Sequence, residues 1–147
     1  MMYLLDSTHC IMIMSNKEFI LQKIESLIDV PISTCSVVIG ELFFGAYKSN
    51  QTQHNIQLIE QFFNKMHVYQ IDNETARVYG RIKARIIDYF GPKDKNQRRI
   101  AKTEKLGFRD NDLWISAVAI QHKLIIVSAD SDFQRLKLIE DLGIENW

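Results

Sequence analysis

The sequence predicts an α/β fold, a mainly parallel sheet of short strands covered by helices on both faces. Three observations carry that prediction. Short apolar runs alternate along the chain with longer segments of helical periodicity. Those runs are apolar on both sides, as strands buried on both faces are. Two of the strongest, MMYLLD (1–6) and KLIIVSA (123–129), are closed by an acid, Asp6 or Asp130. With 147 residues, 46% hydrophobic and 24% charged, the chain fits one domain spanning 1–147 with a core of its own.

The elements follow in order. MMYLLD is the first strand. Asn16 stands before KEFILQKIESLI, where Phe19, Ile20, Ile24, Leu27 and Ile28 recur at helical spacing, so Asn16 is the expected cap. Pro31 breaks that helix, and ISTC (32–35) is a short strand. Ser36 caps a helix over VVIGELFFGAYK. A helix follows over 53–66, with Ile56, Ile59, Phe63 and Met66 on one face. HVYQI (67–71) alternates like a strand. Asp72 and Asn73 then open ETARVYGRIKARIIDYF, striped by Tyr79, Ile82, Ile86 and Phe90 and stopped by Gly91-Pro92. LWISAVAIQH (113–122) is a helix, KLIIVSA a strand, and LGIEN near Trp147 a last short strand.

Composition excludes several classes. Formal net charge is zero, so nucleic-acid binding has to come from a local patch. Cys10 and Cys35 are too few for a disulfide framework. No leader or membrane-spanning run is visible, which makes a reduced cytoplasmic protein the default expectation.

The acids carry the chemistry. In an open parallel sheet, ligands bind beyond the carboxyl ends of the strands. Asp6 and Asp130 close two strands at that rim. Glu41 lies in the first turns of the helix after ISTC, and Asp112 opens the helix that feeds the last strong strand. Four distant acids thus converge. Packed carboxylates repel unless a cation compensates them. Oxygen-only donors favour Mg²⁺ or Mn²⁺ over Zn²⁺. Such an ion activates water and stabilises charge on a phosphoryl oxygen, which suits hydrolysis of a phosphodiester. Taken singly, each acid also has a structural reading as a turn residue, a solvated helix residue or a cap.

Four segments resemble the PIN-domain ribonucleases, in particular the VapC-type toxins of toxin–antitoxin pairs. YLLDST (3–8) is similar to that family's opening strand, and SVVIGELFFGA (36–46) to its "AELxxG" helix. NDLWISAVAI (111–120) is similar to "DLWIAAxAL", the most specific of the four, and LIIVSADSDF (124–133) to "LVTxDxDF". The resemblance implies a PIN-like α/β/α sandwich and a metal-dependent endoribonuclease. It implies a homodimeric toxin neutralised by a VapB-type antitoxin. By position, it makes Asp6, Glu41, Asp112 and Asp130 the catalytic acids that hold Mg²⁺ or Mn²⁺. Ser7, Thr8, Asp110, Ser128 and Asp132 stand beside them as groups that orient the ligands. A catalytically silent PIN domain that binds a partner or RNA is the alternative. Phosphatases and receiver domains with an acid pocket fit less well, because Asp6 has no second acid close behind it.

The chain departs from the family in places. Ser7-Thr8 replaces the usual Thr-Asn after the first acid, Ser128 replaces Thr, and Gly40 replaces Ala before Glu41. The segment between Phe90 and Gly107 is longer than the family's short turn. It holds Lys93, Lys95, Arg98, Arg99, Lys102 and Lys105 against Asp94 and Glu104. Those cations read either as an RNA-phosphate contact near the active rim, extended by Arg81 and Arg85, or as a solvated loop. Phe43, Phe44 and Tyr47 beside Phe19 and Ile20 read either as a groove for an antitoxin helix or dimer contact, or as closed core. His9, Cys10, Cys35, Trp114 and Trp147 read as packing residues.

The doubled acid in FRDNDLWIS needs a division of labour. Helical residues advance about 100° each, so two positions apart face roughly opposite ways. Asp110 is therefore the expected N-cap and Asp112 the expected metal ligand, in the first turn where the helix dipole favours negative charge.

Overall fold

A computed structural model describes all 147 residues and contains a five-stranded sheet in the order β3-β2-β1-β4-β5. The strands are β1 (Tyr3–Leu5), β2 (Ile32–Cys35), β3 (His67–Tyr69), β4 (Ile125–Val127) and β5 (Gly143–Glu145). Every pairing is parallel, with Leu4 opposite both Ser33 and Ile126. β1 is central and wholly buried, which explains its unbroken apolar run. The expected α/β/α architecture is borne out.

Eight helices cover the sheet: α1 (Ser7–Met14), α2 (Glu18–Ser26), α3 (Ser36–Lys48), α4 (Thr52–Phe63), α5 (Asn73–Phe90), α6 (Lys95–Ile100), α7 (Asp110–His122) and α8 (Ser131–Leu136). No helix is long and apolar enough to cross a membrane. Helix α1 has no counterpart in the sequence reading. Its run STHCIMIM is apolar nearly all round and so lacks an amphipathic stripe. Asp6 caps it, accepting the backbone N–H of His9. Helix α2 is capped at Lys17 and not at Asn16, whose φ of 53° places it in a left-handed turn between the two helices. Helix α3 starts at Ser36 itself, after Cys35 as cap, and α4 ends at Phe63, short of Met66.

Helices α5 and α7 pack closely together. Asp72 and Thr75 close a reciprocal capping box at the start of α5. The rings of Tyr79 and Trp114 stack with centroids 3.7 Å apart. Ile82 and Ile86 are fully buried against this layer. Arg81 and Arg85, expected to extend a basic patch, instead both reach buried Glu140, at 3.3 and 3.0 Å. Cys10 and Cys35 are free and buried, and burial pushes the Cys10 thiol up to about 12.

The long segment after Phe90 folds as α6 and a 3₁₀ turn (Thr103–Leu106), ending in left-handed Gly107. Phe108 is then buried beside Phe90, and the Arg135 guanidinium lies over both rings. Arg135 also donates to the Leu106 carbonyl at 2.9 Å, tying the segment to α8.

Candidate metal centre

All-parallel topology sends the ends of β1, β2 and β4 to one rim. A cleft of about 330 Å³ opens there, lined by Asp6, Glu41, Asp112 and Asp130 with Ser7, Thr8 and Arg109 among their neighbours. The four acids expected to converge therefore do share one cavity. Two of them, Asp112 and Asp130, form a tighter cluster with Asp132, each of the three offering a carboxylate oxygen within 4.8 Å of the others. The sequence reading gave Asp132 only a supporting role, but the first turn of α8 puts it inside this cluster.

Each acid is held by a local device. Asp6 is buried, and its Oδ1 accepts from the His9 backbone N–H at 2.9 Å and from His9 Nδ1 at 2.8 Å. His9 thus does the orienting expected of Ser7 or Thr8. Burial raises the Asp6 pKa, but hydrogen bonds from His9 and the neighbouring Ser128 hydroxyl outweigh it and leave Asp6 below its ordinary value. Glu41 is half-buried on α3, where Asn111 Nδ2 donates to its Oε1 at 3.0 Å. Asp130 caps α8 by accepting the Asp132 N–H at 2.9 Å, and its own N–H donates to the Ser128 hydroxyl at 3.1 Å.

Asp112 is buried in the first turn of α7. Burial pushes its carboxyl up to about 6; Arg109 opposes that rise, and the negative charges of Asp130 and Glu41 add to it. Asp110 differs from expectation. The N-cap of α7 is Arg109, and Asp110 is the first helical residue. Its carboxylate turns to α5, accepting from the Tyr79 hydroxyl with Lys83 Nζ 3.7 Å away. The divergence of Asp110 from Asp112 holds, while the capping assignment does not.

Arg109 is the main residue the sequence reading passed over. Its Nε donates to Asp112 Oδ2 at 3.1 Å, and its Nη2 donates to Asp130 Oδ2. The cleft thus already holds one positive charge against its acids. An all-carboxylate donor set that draws in a guanidinium fits a hard divalent cation.

Beside the cleft runs an apolar groove of about 390 Å³ between α1, α3 and α4, walled by Ile11, Met14, Leu42, Ala46, Leu58 and Ile59 and touching Glu41. This differs from the groove expected around Phe43 and Ile20. Ile20 is buried, and Phe43 packs onto Phe63. The expected groove lacked the wall that α1 provides.

Comparison with known proteins agrees with the geometry. Residues 3–138 match the family model described as PIN domain. Ribonuclease VapC2 of Haemophilus influenzae is 30% identical over 112 residues, covering 76% of this chain and 72% of that protein. The tRNA(fMet)-specific endonuclease VapC of Shigella flexneri is 30% identical over 84 residues, covering 57% of this chain and 64% of that protein. The fold matches DNA-bound VapBC from Salmonella typhimurium with a TM-score of 0.77 at 24% identity, over 100% of this chain and 98% of that one. The chain belongs to the PIN-domain family, as a relative of its VapC members.

Proposed function

We propose that this chain is a metal-dependent endoribonuclease toxin, one PIN domain across 1–147, acting in the cytoplasm as a dimer and neutralised by a small VapB-type antitoxin. The observation that carries the reading is the gathering of Asp6, Glu41, Asp112 and Asp130 around one cleft at the carboxyl rim, with Asp132 clustered against the last two. Asp6, Glu41, Asp112 and Asp130 are the groups that would hold Mg²⁺ or Mn²⁺, with Asp132 beside them. When bound, the ion supplies activation of water and stabilisation of phosphoryl charge.

The chain's own residues do the rest. His9 engages Asp6 Oδ1 through both its backbone N–H and its ring, which fixes the carboxylate at the cleft wall. Asn111 donates to Glu41 from the start of α7, which ties α7 to α3 at the rim. Lys93, Lys95, Arg99, Lys102 and Lys105 are exposed and free to meet RNA phosphates. Arg98 is engaged with Asp88 and contributes less. The apolar groove suits an amphipathic antitoxin helix whose end reaches the acids with a cation.

The test is cleavage of RNA by purified protein with and without Mn²⁺. The name of the Shigella relative makes transfer RNA the first substrate to try. Asp6→Asn and Asp112→Asn should each lower the rate by at least about 100-fold, with the circular dichroism spectrum unchanged. Metal-dependent cleavage that persisted in both would remove this site assignment.

A further inference from the structure

Arg109 has a fixed backbone and a largely exposed side chain. As the cap of α7, its carbonyl accepts the N–H groups of Asp112 and Leu113 at 3.1 and 3.4 Å. Its side chain is 67% exposed and reaches over the rim of the cleft into the acids. There the guanidinium takes one oxygen from each of two carboxylates, Asp112 Oδ2 and Asp130 Oδ2.

Each oxygen of Asp130 already accepts one hydrogen bond and keeps a further lone pair, but at Oδ2 a divalent ion would sit against the guanidinium charge. Oδ1 accepts the Asp132 N–H as the cap of α8, and Oδ2 accepts from Arg109. A divalent ion needs a carboxylate oxygen at about 2.1 Å, closer than any hydrogen-bond donor sits. Releasing Oδ1 would uncap α8. Releasing Oδ2 only requires Arg109 to swing into solvent. A guanidinium keeps its charge at any physiological pH, so it cannot leave the oxygen by giving up a proton.

We propose that Arg109 is an internal counter-ion of the acid cluster, which a divalent cation must displace in order to bind. Arg109 stabilises the ion-free protein by neutralising repulsion among Asp112, Asp130 and Asp132, and for the same reason it weakens the apparent affinity for the ion. It sets the divalent concentration at which the site fills. This inference rests on the metal-site reading above, and its test separates the two.

The test is Mn²⁺ alone, without RNA, titrated into the full chain and followed by electron paramagnetic resonance of free Mn²⁺. Arg109→Ala should bind Mn²⁺ about tenfold more tightly than the wild type. Arg109→Lys, which keeps the charge but loses the two-armed fork, should fall between them. In thermal melts the Arg109→Ala protein should be less stable without the ion, and Mn²⁺ should raise its Tm by more than it raises that of the wild type. Arg109→Gln serves if the alanine variant does not fold. Equal or weaker binding by the folded variant overturns the role of Arg109 and leaves the metal site standing. Binding by neither protein overturns both.

Discussion

Asp112 shows how a buried carboxylate links pH to both stability and metal binding. Its pKa is raised to about 6, chiefly by burial. The folded protein therefore takes up more protons than the unfolded chain between the ordinary carboxylate range and pH 6, and stability falls as pH rises through that window. Above it the charged group carries its full penalty. Without divalent ions, Asp112→Asn should be more stable than the wild type at pH 7.5, by at most about 3 kcal/mol. The gain should fall to about a third of that by pH 4.5 and vanish only below the ordinary value of 3.8, as urea melts in chelator would show. An equal gain at both pH values would mean that ionisation is not the cause. Mn²⁺ affinity should drop below pH 6, where protons compete for the same oxygens. Asp6, Glu41, Asp112 and Asp130 were legible in the sequence because strand ends and helix starts announce the rim. His9 and Arg109 were not. A single histidine or arginine has no visible partner until the fold places a carboxylate against it.

At the level of elements, α5 is the scaffold of the site. It holds α7 through the Tyr79–Trp114 stack and buried Ile82, and α7 in turn carries Arg109, Asn111 and Asp112. Ile82→Ala should cost about 3 kcal/mol in denaturant unfolding, the range of large-to-small core changes. A loss below 1 kcal/mol would mean that this layer is not tightly packed. Gly40 sits in the interior of α3 with open space where a Cβ would be. Gly40→Ala should gain about 0.5–1 kcal/mol from helix propensity, read as an increase in Tm. Helices with one apolar stripe, α2, α4 and α5, were legible from periodicity. Helix α1 was not, since Ile11 to Met14 are consecutive apolar residues with no stripe. The capping residues of α2, α3 and α7 were misplaced by one position because polar residues cluster at each start and only the backbone decides which is first.

On the scale of the whole molecule, zero net charge makes RNA attraction a matter of one patch. Replacing Lys93, Lys95, Arg99, Lys102 and Lys105 together with Gln should weaken RNA binding and flatten its dependence on salt. An unchanged salt slope would assign those cations to solvent. The architecture itself was legible, because runs buried on both faces alternate with helices in only a few folds. The strand order also has a consequence for synthesis. Of the five strands the central one is made before the others, but one of its two neighbours, β4, is made more than a hundred residues later, where Leu4 meets Ile126. Such long-range pairing closes late and slowly. Asp130 lies just beyond that strand, so a nascent chain carries Asp6, Glu41 and even Asp112 with no cleft to put them in. A chain cut short before β4 therefore lacks both Asp130 and the strand that brings it to the rim beside Asp6.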